Sequence, residues 1–355
     1  MAILSKLSLT IRALAAVVHT TSSHCSYKHS SHHTGAYDFH QSQAGIQTAQ
    51  LIDPLPLPYD FNTSNSEMAD SSNSWWISSY LTGSDNHQYM VLSHFSEMAT
   101  QNLTADSQDG KFNIRTDDFF FGSALANNSI TRLRTVSNRT DLQFGLTYEL
   151  TAPVLFNAGL DGRVVHACGK TSGSLVFNVK MVTVDKKRSQ TWYDRQWDVG
   201  SAPTSLTWTW FQLHINNGES DENELVSLWM YDSDVKCHRQ WATTQSKTGI
   251  NIVQPVPTVE PFGSSWTSPH TNATYDQAWT IVLQENTTLT VKKTYEDQEL
   301  WAVGGLATYE GFVTVNGTDA DGKCVTGFGL VHTTIGCGEQ GFPSAQPYLS
   351  HTPGG

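Results

Sequence analysis

The feature that most restricts this chain is a long series of short segments in which apolar and polar residues alternate. Gly, Asn, Asp and Pro punctuate them. "SWWISSYL", then "TGSDN", then "HQYMVLSHF" reads as a hairpin from Trp75 onward. "LQFGLTYEL", "SLVFNVKMVTV", "LTWTWFQLHI", "LVSLWMYD", "AWTIVLQ", "TLTVKKTY", "LATYEGFVTVNG" and "VTGFGLVHTT" continue the pattern, and no amphipathic helix of four turns interrupts it. A period of two suits strands and not helices. The pattern predicts an all-β protein. With 355 residues it is best divided into two antiparallel β-barrel or sandwich domains in tandem, 61–236 and 237–355, with the seam after "SLWMYD" near Cys237.

Alternation also assigns faces. On "LTWTWFQLHI", Trp208, Trp210, Gln212 and His214 share one side, and Thr209, Phe211, Leu213 and Ile215 the other. The second set is mainly apolar and reads as core. The first is aromatic and hydrogen-bonding, the make-up of a ligand-pocket wall. Ser227, Trp229 and Tyr231 form the comparable side of "LVSLWMYD". In the first hairpin Met90, Leu92 and His94 alternate with Tyr89, Val91 and Phe95, and Tyr89 is a further pocket candidate.

The net charge of -12 and the lack of a basic stripe argue against nucleic acid or an anionic membrane as partner. No segment has 18 uninterrupted apolar residues, so no membrane span is expected. Lys6 and Arg12 precede the apolar run Ala13 to Val18, which reads as a secretory signal over 1–23. A flexible tail rich in His, Ser and Pro follows over 24–60. Seven N-x-[ST] sites, at Asn62, Asn102, Asn127, Asn138, Asn272, Asn286 and Asn316, agree with a secreted or lumenal glycoprotein. The five Cys show no zinc spacing, so no metal site is expected. Cys324 and Cys337 could pair in an oxidising compartment, or the thiols could stay free and buried.

"TWYDRQWD", "WTWFQLHINNGE" and "LVSLWMYD", followed in order by "WTSPHTNATYDQAW", "DQELWAVGGLATYEGFVTVNG" and "VTGFGLV", resemble the lipocalin-like hydroxyneurosporene synthase and kievitone hydratase superfamily over Trp75 to Gly336. The resemblance implies two lipocalin-like β-domains, a hydrophobic small-molecule substrate held in or between them, and no cofactor. Fungal members include kievitone hydratase and Diels–Alderases acting on polyketide or terpenoid intermediates. The chain departs from the family's pattern at His332, where an acidic residue is expected after "GFGLV".

No G-x-S-x-G elbow, H-E-x-x-H, phosphate loop or dinucleotide fingerprint occurs. Adjacent Asp194 and Arg195 point to opposite faces of a strand and cannot simply pair. Asp194 is either a pocket acid or base or, with Arg195, part of an interior clamp in which Trp192 or Trp197 covers the guanidinium. His214, Gln212, Asp194 and His332 are the candidate catalytic residues. Trp208, Trp210, Trp229, Tyr231, Tyr89 and Arg195 are the candidate substrate contacts. The resemblance points first to a cofactor-independent pericyclase acting on a hydrophobic polyketide or terpenoid intermediate, with a hydratase or dehydratase, or a non-catalytic carrier, as the alternatives. A pericyclase, a Diels–Alderase or hetero-Diels–Alderase, needs only pre-arrangement, worth about 7–11 kcal/mol, and a hydrogen-bond donor. A hydratase or dehydratase needs a proton-transfer group. A carrier needs neither. The sequence leaves the oligomeric state open.

Overall fold

The computed structural model describes residues 72–335 except 98–111, 124–130, 157–162, 178, 199–206, 219–222, 234–236, 247–250 and 302–306, together with Asn65 and two short strands, Ala13–Ala15 and Tyr37–Phe39. The remainder of the expected leader and tail lies outside the described residues. Two large antiparallel sheets, ten-stranded and eleven-stranded, each curl into a half-barrel. This is the expected pair of lipocalin-like units. Ser265–Thr267 pairs with Thr274–Asp276 as a separate two-stranded sheet. The helical segments among the described residues are two 3-10 turns, Lys186–Arg188 and Gln284–Asn286. No helix of these residues is long and apolar enough to cross a membrane.

The first sheet runs Gln88–Glu97, Ser72–Thr82, Gln190–Asp198, Arg163–Phe177, Gln143–Phe156 and then outward to Asn113–Arg115. The second centres on Ala307–Thr318, Cys324–Thr334, Thr207–Asn216, Glu224–Ser233 and Cys237–Gln245. Sheet membership therefore changes between Asp198 and Thr207, well before the seam expected near residue 236. The cause is pairing: Thr207–Asn216 bonds along its length to Cys324–Thr334, close to the far end of the chain. Such a long-range partner leaves no local mark in the sequence.

Local chemistry sets the turns. In the first hairpin Gly83 N–H donates to the His87 carbonyl, Asp85 Oδ1 accepts from His87 N–H, and Asn86 takes a φ of 62°. "SLVFNVKMVTV" is not one strand. It folds back on itself through Val179, at φ 58°, so that Lys180–Thr183 pairs with the end of Arg163–Phe177. Gly173, at φ 132°, lies against the Gly145 carbonyl, where a Cβ would collide.

Alternation divides the apolar side chains into three groups. Trp75, Ile77, Phe121, Leu146 and Tyr193 fill the first sheet's own core. Phe211, Leu213, Leu228, Ile281 and Val313 fill the second's. The third group takes Trp76, Tyr80 and Trp192 from the first sheet and Trp210, Trp229 and Leu330 from the second, so it lies between them. Each such aromatic contributes about 1.5–3 kcal/mol on burial, which makes this group the principal apolar bond between the sheets. Cys168 belongs to it, and burial pushes its thiol well above the usual range. Cys324 is exposed and Cys337 lies outside the described residues, as does any pairing between them.

Candidate functional site

Two rows of side chains face each other across the sheets. Register sets the first: His94 is opposite Trp76, Trp76 opposite Asp194, and Asp194 opposite His166. The second row runs Glu310, His332, Trp210, Trp229 and Trp241 across five neighbouring strands. Trp210 joins the rows. It stacks on His166 with ring centroids 4.9 Å apart and 12° between planes, and on Trp229 at 5.2 Å. Trp76 meets it edge-on at 5.6 Å. Its Nε1 donates to Ser227 Oγ at 2.8 Å.

Each row carries a carboxylate beside an imidazole. His332 Nδ1 is 2.8 Å from Glu310 Oε1, and its Nε2 is 3.0 Å from Thr334 Oγ1. His166 Nδ1 is 3.2 Å from Asp194 Oδ1, whose other oxygen accepts from Gln196 Nε2 at 2.6 Å. The first pair is an aligned hydrogen bond. The second is a charge contact off the hydrogen-bonding direction. Their electrostatics diverge. Burial alone would lower His332, but the charge and hydrogen bond of Glu310 overcome it and raise its pKa. Burial lowers His166 despite Asp194, and it lowers His94 as well. One imidazole is thus held towards its cationic form and the others towards neutrality, which divides acid from base.

Further along the same strands the lining turns neutral. Ser78 Oγ donates to Gln212 Oε1 at 2.9 Å. The His214 ring stacks on Phe328 at 4.9 Å and meets Trp192 and Tyr80 edge-on. Burial, with the positive charge of Lys170 adding to it, pulls His214 down to about 3, so it does not deliver a proton at neutral pH. Trp76 Nε1, Trp192 Nε1, Gln212 Nε2, both His214 nitrogens and Glu310 Oε2 are buried without a hydrogen-bond partner. Each such group costs about 1–3 kcal/mol, so together they mark where polar atoms of a ligand would be received.

The structure brings together Trp208, Trp210, Gln212, His214, Trp229, Asp194 and His332 from the expected set. Trp208, half-buried, stacks on His332 at 5.8 Å. Two expected substrate contacts lie elsewhere. Arg195 points into the first sheet's own core, 4.3 Å over Trp75 and 5.1 Å over Trp197, with Nη2 donating to Asn73 Oδ1 at 2.6 Å. It forms the clamp, because strand alternation turns it away from Asp194, and it is Trp197 rather than Trp192 that covers it. Tyr89 lies in the same core and donates to Asp85 Oδ2 at 2.7 Å. Tyr231 is opposite Trp208 in register, and its side chain lies outside the described residues. Sequence reasoning missed His166, Glu310 and Ser78. A face assignment for "RVVHACGK", which sets His166 and Cys168 on one side, would have found the first.

Of the glycan acceptors, Asn138, Asn272, Asn286 and Asn316 are exposed, and Asn62, Asn102 and Asn127 lie outside the described residues.

The model of the AttH-like family matches residues 61–334. The chain is 32% identical over 311 residues to kievitone hydratase of Fusarium solani subsp. phaseoli, covering 78% of this chain and 86% of that one. It is 26% identical over 317 residues to the dehydratase AsqC of Emericella nidulans, covering 78% and 88%. The crystal structure of kievitone hydratase from Nectria haematococca superposes with a TM-score of 0.62 at 27% identity, over 74% of this chain and 88% of that one.

Proposed function

The chain belongs to the AttH-like family, and from that premise we propose that it is a hydro-lyase, adding water to or eliminating it from a hydrophobic small molecule held between the two sheets. The observation that carries this reading is the pair of carboxylate–imidazole contacts on facing rows, with His332 raised and His166 lowered. The relatives named hydratase and dehydratase support it.

In elimination, His332 as the imidazolium gives its proton to the departing hydroxyl, so that water leaves. Glu310 keeps that proton available and holds the ring. Neutral His166 takes the proton from the neighbouring carbon, and Asp194 stabilises the cation that forms. Hydration runs the same steps in reverse. Positioned proton transfer of this kind contributes about 10²–10⁴-fold. Trp208, Trp210 and Trp229 hold the apolar body of the substrate and exclude bulk water.

A second reading, a pericyclase, rests on the unpartnered Trp76, Trp192 and Gln212 donors. Aimed at a substrate carbonyl, one such donor is worth about 3–4 kcal/mol. The deciding experiment deletes the gene in its producer and profiles the metabolites that accumulate. An unhydrated or undehydrated compound that the purified protein then converts supports the hydro-lyase. An uncyclised precursor overturns it in favour of the pericyclase. A compound that binds without turnover makes the protein a carrier.

A further inference from the structure

Away from the intersheet site, the two C-terminal stretches "WTSPHTNATYDQAW" and "DQELWAVGGLATYEG" converge on one amine. Lys293 ends the strand Thr288–Lys293 on the same side as Val291, towards the second sheet's own core. Its Nζ lies 3.4 Å from the ring centre of Tyr309, 5.1 Å from Trp279 and 5.6 Å from Tyr275. Trp266 closes the cage, stacked on Tyr275 and edge-on to Tyr309. The Nζ is buried and has no hydrogen-bond partner.

The groups that would normally hold an ammonium are otherwise engaged. Glu299 accepts from Ser268, from Thr271 at 2.5 Å and from Tyr275 at 2.7 Å. Tyr309 donates to the Tyr295 and Glu296 carbonyls. Asp276 pulls the amine towards its charged form, and burial outweighs it, bringing Lys293 down to about 6. The aromatic faces oppose that burial as well. A neutral, unpaired amine walled by rings is a nucleophile in an apolar setting.

We propose that Lys293 and its aromatic cage form a second site that captures a small apolar aldehyde or ketone as an imine. The nitrogen lone pair attacks the carbonyl carbon and the C=O π electrons move to oxygen. That oxygen leaves as water with the two N–H protons, so no oxidant or reductant is needed. The inference is independent of the hydro-lyase reading, since Lys293 points away from both facing rows.

The test incubates the full-length protein with propanal and sodium cyanoborohydride at pH 7, then maps the reduced adduct by peptide mass spectrometry. Lys293 is expected to be modified about tenfold or more ahead of the exposed Lys186 and Lys187. Its labelling should fall sharply at pH 5 and vanish in K293R, with folding checked by circular dichroism. Labelling of Lys186 and Lys187 ahead of Lys293, or modification of Lys293 only after denaturation, would overturn the proposal. The wild-type map decides even where a variant fails to fold.

Discussion

Glu310 and His332 stand directly opposite each other on neighbouring strands, with Oε1 2.8 Å from Nδ1. The resemblance places an acidic residue where this chain has His332. Here the carboxylate comes from the adjacent strand and is paired with an imidazole, a group that can both give and accept a proton near neutrality.

Glu310→Gln preserves the shape and removes the charge. His332 should then lose its raised pKa, and turnover of the natural substrate at pH 7 should fall tenfold or more, with the alkaline limb of kcat/KM moving to lower pH. The sign for stability follows from the raised folded pKa. The pair's contribution, about 1.5–3 kcal/mol for a charged hydrogen bond, is fully present below the unfolded value near 6.5 and is lost as pH rises through the folded value. The Tm gap between wild type and variant should therefore be widest below pH 6.5 and close at alkaline pH. A gap independent of pH contradicts the charged dyad.

His166→Phe keeps a ring against Trp210 and deletes both nitrogens. A loss of about 10²-fold or more in kcat with a largely unchanged KM is expected if His166 moves a proton. A rise in KM alone would make it a wall.

Trp208→Ala and Phe211→Ala should show opposite balances. Trp208 is half-buried beside His332, so its loss should cost activity tenfold or more, equivalent to about 1.4 kcal/mol, with a small change in Tm. Phe211, wholly buried against Trp279, should cost about 3–5 kcal/mol of stability, with turnover per folded molecule retained. Melting curves and active-site titration of both variants check this.

Arg195→Met removes the donations to Asn73 Oδ1 and to the Ser74 and Gln196 carbonyls, and a loss of about 1–3 kcal/mol is expected for each acceptor left unsatisfied. Specific activity of the folded fraction should stay within a few-fold of wild type. A folded but inactive variant would return Arg195 to the substrate's side.

We propose a glycosylated, secretory product, supported by four exposed acceptors. Expression in a eukaryotic host should give a protein lacking about 20–25 N-terminal residues, with a mass that falls on enzymatic deglycosylation. An unshifted mass with Met1 or Ala2 at the terminus rejects this.

Much of the architecture was legible because a strand writes its two faces in alternate letters. "LTWTWFQLHI" separates Trp210, Gln212 and His214 from Phe211, Leu213 and Ile215 in the structure as it does on paper. What sequence could not supply was partnership across strands. Nothing in a single strand's letters says that Glu310 will face His332, or that Asp194 will lie between Trp76 and His166, since those neighbours are fixed by the register between strands. "LVFNVKM" misled for another reason: Val179 takes a backbone conformation that glycine usually supplies, and the sequence lacks the Asn-Gly pair that would announce the turn.

The facing rows come from separate sheets, so neither half of the chain carries both the Glu310–His332 and the Asp194–His166 contacts, and the proposed hydro-lyase needs both halves. Expressed as two fragments cut between Asp198 and Thr207, the protein should be inert until they reassociate. On the hydro-lyase reading, the same division would let natural variation tune selectivity at a distance. Any change that tilts one half against the other alters the gap between His166 and His332 without replacing a single residue that touches the substrate.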